Sequence, residues 1–265
     1  NNQTYTTNIL DISSVGDKIK KSNWVGVRGE FVFDNTIGLA QNILIGTRFK
    51  LFGEYSQVIT KENRNLIVLG FDFRNYQRIY RELIFAWRVA GSSSLGSDRL
   101  VYYMGGVDNW ILPHFNSDNQ VSPDINYAYQ TLATNMRGFA QNTRNGPNFA
   151  VVNAELRFPF VRVFANRPIG SKFLNSLQMV GFCDFGTAWN GLTPYSEENS
   201  LFIKKYDEPP MHIEVSEHRD PFLLGFGLGV RASILGYFVR VDYGWGLEDG
   251  FVNDGYWNIS FSLDF

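Results

Sequence analysis

The stretch WNISFSLDF, residues 257–265, places Trp257, Ile259, Phe261, Leu263 and Phe265 on one parity and Asn258, Ser260, Ser262 and Asp264 on the other. A two-residue period with unlike faces predicts a strand. The segment YFVRVDYGWGL alternates in the same way, with Tyr237, Val239, Val241, Tyr243, Trp245 and Leu247 opposite Arg240, Asp242, Gly244 and Gly246. In FLLGFGLGVRASI, Phe222, Leu224, Phe226, Leu228 and Val230 oppose Gly225, Gly227, Gly229 and Arg231, and Leu235-Gly236 is a tight turn between the two segments. Further strands are predicted near 174–189, 148–160, 79–93, 65–76, 42–58 and 23–33, with a weaker one near 3–13. About ten strands and no convincing amphipathic helix make the fold class all-β with hairpin connections.

The charges distinguish the faces. Arg48, Lys50 and Glu54 share one side of 42–58, Asn153, Glu155 and Arg157 one side of 148–160, and Arg240 and Asp242 one side of 237–247. The glycines sit on the charged side and the long aromatics on the other, as expected for a polar, water-containing interior inside a lipid-facing shell. Strands of about 11 to 15 residues exceed the usual soluble length and suit a tilted crossing of a bilayer. The links at 34–41, 77–78, 161–173 and 235–236 are mostly short, whereas 94–147 and 190–220 are long and fall at the other rim. That asymmetry also fits an antiparallel transmembrane β-barrel, with Phe265 expected to close a lipid-facing strand at the short-turn rim.

Composition leaves this picture standing and removes others. The chain has 23 Phe, 13 Tyr and 6 Trp among 265 residues, yet no apolar run approaches the roughly 20 residues of a membrane-spanning helix. A net charge of −2 gives no electrostatic reason to expect nucleic acid. The single Cys183 excludes an internal disulfide and reads as a buried or lipid-facing thiol. The opening NNQTYTT has no charged-then-apolar leader, as expected of a processed product or a piece of something longer.

The most informative stretch is ATNMRGF, 133–139, at the end of the long 94–147 connection. Arg137-Gly138-Phe139 is followed by the strand NFAVVNAELRFPF, then by one carrying FCDFG (182–186), and five strands follow the triplet. An arginine carried into a partly dehydrated interior needs a fixed counter-charge, because an unpaired buried ion costs several kcal/mol. Asp184 and Glu155 both fall on the face that can supply it, and a planar guanidinium can bridge two carboxylates.

This order of features resembles the BamA-type outer-membrane assembly factors, a superfamily that includes TamA-like proteins and the transporters of two-partner secretion. The resemblance covers roughly residues 20–265 and is densest from 133 onward. It implies that the tip Arg137, Gly138, Phe139 of a lumen-inserted loop docks on the barrel wall. Phe182 to Gly186 would match the family's wall motif F/G-x-D-x-G, with Asp184 the acidic partner and Glu155 a second wall carboxylate. Phe261, Leu263 and Phe265 would form the carboxy-terminal strand signal. The family's barrel has sixteen strands behind periplasmic domains, so residues 1–265 are expected to be its carboxy-terminal portion, with upstream strands and domains outside this sequence.

The function implied is assistance in inserting or translocating proteins at the bacterial outer membrane. Expected partners are outer-membrane lipid, unfolded or secreted client proteins, and other outer-membrane or periplasmic subunits. An alternative is a passive anchor or exit pore for a fused or partner domain; GGVDNW (105–110) and LATNMRGF also resemble variants found behind a TolB-like propeller. A plain diffusion channel would have no reason to carry the Arg137 and Asp184 pair. No enzymatic activity, cofactor or metal is expected. Gly227-x-Gly229-x-x-Ala232 satisfies a relaxed dinucleotide fingerprint but lies within a strand, with no helix N-terminus to receive phosphates. His212, Glu214, Glu217 and His218 crowd one loop, where a cation site competes with ordinary loop polarity.

Overall fold

The computed structural model describes residues 23–59, 63–122, 125–165, 170–208, 211–216 and 219–265, with 203–208 and 211–216 given by backbone alone. The weak strand near 3–13 and the side chains of the His212 to His218 cluster lie outside the described residues. In chain order the elements are β1 (Trp24–Asp34), β2 (Ile37–Ala40), β3 (Ile43–Val58), β4 (Asn65–Tyr80), β5 (Leu83–Gly96), β6 (Arg99–Met104), β7 (Tyr127–Leu132), β8 (Arg144–Gly146) and β9 (Asn148–Phe158). There follow α1 (Phe160–Phe164), α2 (Lys172–Ser176), β10 (Gln178–Trp189), β11 (Ile203–Glu208), β12 (Met211–Ser216), β13 (Leu223–Ile234), β14 (Tyr237–Glu248), β15 (Phe251–Val252) and β16 (Tyr256–Phe261).

The chain is all-β, built on one 11-stranded antiparallel sheet in the order β1-β3-β4-β5-β9-β10-β13-β14, with β15 and β16 both on β14 and β2 on β3. Among the described residues no strand pairs beyond β1 or beyond β16, so the sheet is open there. No described helix is long and apolar enough to cross a membrane, which leaves crossing by strands untouched.

Local chemistry explains the turns. Leu235 and Gly236 both have positive φ, 51° and 89°, which is the type I′ geometry that matches the twist of a hairpin. Between β4 and β5 the structure differs from the predicted link at 77–78. A bulge between Arg78 and Tyr80 carries β4 on to Tyr80, and Arg81 at φ 49° makes the turn instead. An alternation count cannot register a bulge, because one extra residue leaves the composition unchanged.

β5 and β9 pair directly, from Ile84↔Arg157 to Ser93↔Asn148. The connection between them therefore leaves and returns at one end of the sheet. It contains a small sheet in which β6 pairs parallel with β7 and antiparallel with β8, and it lies over one face of the large sheet. Leu66, Val68, Phe149, Val151 and Leu223 of the large sheet meet Tyr102, Met104, Met136 and Phe139 of the connection in a buried apolar cluster.

This covered face carries the charges. Glu155, Arg157, Asp184, Arg231, Arg240 and Asp242 are all buried. The opposite face is bare: Met179, Phe185, Leu228 and Trp257 are exposed, as is Phe261 at 50%. Phe226 is 39% exposed while Arg240 is 2% exposed, the reverse of a soluble sandwich, where the aromatic flank would be the dry one.

The end of the chain departs from expectation. β16 stops at Phe261, and Phe265, expected on a lipid-facing strand, is buried in a cluster with Ile43, Tyr76, Ile84 and Ala86. The Arg157 guanidinium stacks 5.2 Å from the Phe265 ring centroid, and its Nη2 donates to the Phe265 carbonyl at 2.9 Å. Phe261 and Leu263 keep to the bare face. A buried arginine that needs an acceptor and a ring, together with an apolar hollow at the foot of β3 to β5, accounts for the inward turn.

Candidate interior latch around Arg137

Register across β9 and β10 sets the acidic pair: Glu155 stands opposite Phe182, and Asp184 opposite Asn153. The two carboxylates are thus diagonal neighbours on the covered face. Arg137 comes down on them from the connection. Its Nε and Nη2 donate to Asp184 Oδ2 and Oδ1 at 2.7 and 2.8 Å, and its Nη1 donates to Glu155 Oε1 at 2.7 Å. The Arg137 backbone N–H adds a bond to Asp184 Oδ2 at 3.1 Å. The guanidinium lies 3.9 Å from the centroid of the Phe182 ring. Burial opposes its charge, but the Asp184 and Glu155 carboxylates more than offset this and hold its pKa well above the ordinary arginine value.

Glycines make room for the rest of the tip. Gly138 has φ +87°, and a Cβ there would lie 2.5 Å from the Trp245 carbonyl. Opposite it, Gly225 and Gly246 are register partners, as are Gly227 and Gly244. A Cβ on Gly225 would meet the Arg137 carbonyl at 2.0 Å, and one on Gly246 would meet the Phe139 ring at 2.5 Å. Asn253 seals the slot, donating to the Gly138 carbonyl at 2.6 Å while accepting from the Gly246 N–H at 2.8 Å. Phe139 is buried in the apolar cluster.

All three tip residues, Asp184, Glu155 and Phe182 are therefore in one place. Gly186 shares their face, but the nearest atoms to a Cβ there belong to Ala150 and Val151 rather than to the tip. Gly225, Gly244, Gly246, Asn153 and Asn253 were not singled out in the sequence as parts of this site. The glycines were visible as small residues on the charged face, whereas Asn253 sits in a loop and carries no periodic signal.

The latch continues into a second network. Glu155 Oε2 accepts from Arg157 Nε at 2.9 Å, and Arg157 Nη1 reaches the Asn42 carbonyl at 3.1 Å. Asp264 pairs with Arg231 at 2.9 Å and Arg240 at 3.3 Å, and Arg231 also pairs with Asp242 at 2.7 Å. Asn42 Nδ2 donates to Asp264 at 2.7 Å. Burial raises the Asp264 pKa, and the Arg231, Arg157 and Arg240 charges outweigh it, holding the carboxyl far below its usual range. With its carboxylates satisfied by guanidinium groups, the arrangement is suited to positioning, not to proton transfer.

No protein-family model matches the chain. No curated protein matches it either.

Proposed function

We propose that this chain is the carboxy-terminal part of a BamA-like outer-membrane β-barrel that assists insertion or translocation of proteins at the bacterial outer membrane. The observation that carries the reading is the polarity of the large sheet around the latch: aromatics exposed on one face, and a salt-bridged arginine loop tip buried on the other. A bare sheet face of this apolar character is stable in hydrocarbon and a liability in water. On this reading outer-membrane lipid covers the bare face, and further strands continue the wall from β1 round to a seam beside β16. Unfolded or secreted clients, with other outer-membrane or periplasmic subunits, are its protein partners. The seam beside β16 can template an incoming strand by main-chain pairing, while the latch holds the wall in shape.

A passive anchor or exit route for a fused or partner domain is the second reading. The interior filled by the loop favours it over an open diffusion channel. A complementation experiment separates the two. Cells whose only copy carries Arg137→Ala should accumulate the protein in the outer membrane while client proteins fall in abundance. Normal client levels in such cells would overturn the assembly role and favour the anchor.

A further inference from the structure

The long connection does one thing that the latch does not require. Beyond β16 there is no strand among the described residues, yet the carbonyls of Trp257 and Ile259, which point away from β14, are occupied. Ile111 N–H donates to the Ile259 carbonyl at 2.8 Å, and Trp110 Nε1 donates to the Trp257 carbonyl at 3.1 Å. Trp110 and Ser260 form an antiparallel bridge. Two residues of the loop thus behave as a fragment of strand added to the edge of β16.

The fragment is short by construction. Asn109 and Leu112, on either side of it, have φ +53° and +60°, a left-handed conformation that non-glycine residues seldom adopt. The chain turns onto the edge and off it again within four residues, so nothing longer competes for β16. The fragment is also tied to the latch. Gly106 N–H donates to the Phe139 carbonyl at 3.1 Å, Met136 N–H donates to the Gly106 carbonyl at 2.8 Å, and Asp108 N–H donates to Asn135 Oδ1 at 2.7 Å. On the other side Arg240 Nη2 reaches the Asp108 carbonyl at 3.4 Å. The first three of these bonds join the segment before Trp110 to the residues on either side of Arg137.

We propose that residues 108–112 are a built-in cap on the β16 edge, seated by the docked Arg137-Gly138-Phe139 tip, which must leave before an extended segment of another polypeptide can pair there. The proposal rests on the reading of this edge as a strand-pairing seam and adds its regulation. Two backbone-facing hydrogen bonds make the cap displaceable by a full strand, which would bring several. Among the described residues no strand lies beyond β1, where Val25, Val27, Phe31, Val32 and Phe33 are exposed.

The test uses the full chain with Trp110→Cys and Ser260→Cys in a Cys183→Ala background. Directly opposed residues of an antiparallel pair sit about 4.5 to 5.5 Å apart at Cα, within disulfide range. The probe is a synthetic benzophenone-labelled copy of residues 256–265, with photocapture on β16 mapped by mass spectrometry. The oxidised protein should capture at least tenfold less probe than the same protein after reduction, which also controls for folding. Arg137→Ala, in the native background, should capture severalfold more than the unmodified chain. Failure of the disulfide to form, equal capture in both redox states, or no capture by the reduced protein would each overturn the cap. None of these readings involves client proteins. Loss of the assembly role in the complementation experiment and loss of the cap are therefore separate outcomes.

Discussion

The two flanks of the large sheet carry the same alternation and end differently. On β13, Arg231 is fully buried between Asp242 and Asp264. On β1, Arg28 makes a similar contact with Glu30 at 2.6 Å, but its side chain is 51% exposed. Lys50 with Glu30 and Arg48 with Asp34 repeat the pattern on the same flank. Sequence period alone does not distinguish these sets. The covering connection does: it packs over β4, β5, β9 and the strands that follow, touches β1 and β3 through Trp24 and Phe52, and leaves the Arg28, Glu30, Arg48 and Lys50 side chains in partial contact with solvent. An ion pair there is screened and contributes little, whereas under the connection each charge is committed to its partner.

Arg137→Ala should break the contrast most. It strands Asp184 and Glu155 without their counter-charge, and removal of one partner from a buried pair costs about 3 to 5 kcal/mol. Unfolding by denaturant in detergent should show that loss, and adding Asp184→Asn with Glu155→Gln should recover much of it. No recovery in the triple variant would mean that stability comes from tip packing rather than charge. Next in size is Gly225→Val, whose side chain would occupy the space of the Arg137 carbonyl; overpacking of this kind costs about 1 to 3 kcal/mol. Protease protection of the connection should fall with it, while the equivalent change at Gly29, which meets nothing within 4 Å, should leave protection intact.

Acid sharpens the comparison further. The Asp264 carboxyl is held below its unfolded value, so its stabilising contribution is complete above about pH 4 and is lost only as pH falls towards its depressed folded value. The gap in unfolding midpoint between the native chain and Asp264→Asn should therefore stay level from neutral pH down to the ordinary carboxylate range and close only below it. A gap that already narrows between pH 7 and 5 would contradict the buried pairing. Smallest of all, Glu30→Ala on the open flank should leave the midpoint within error, and a clear decrease would show that β1 is covered after all.

Much of the architecture was readable from period and charge. Alternation located most of the long strands, because a strand with one covered face must repeat every second residue. Arg137, Asp184 and Glu155 are legible as partners because a buried guanidinium demands carboxylates and those two share the charged face of neighbouring strands. Phe265 was not: its parity matched Phe261 and Leu263, and only the hollow beneath Arg157 turns it inward. The β6 to β8 sheet and the β11–β12 hairpin lie within stretches whose pattern predicts only connections, since strands paired within a connection are short and leave little periodic signal. Asn253 has no local signature, and nothing in GGVDNW (105–110) points to a pairing with β16.

What the sequence by itself determined is the two-faced character of every long strand, which follows from side-chain chemistry at fixed parity, and the requirement that Arg137, once carried inside, meet an acid, which follows from the cost of an unpaired buried charge. What only the tertiary structure decided is which charges are dry, where the last residue goes and which edge is covered. Those depend on how one long connection lies across the sheet, and that path is fixed by contacts between residues far apart in the chain, which no local pattern encodes.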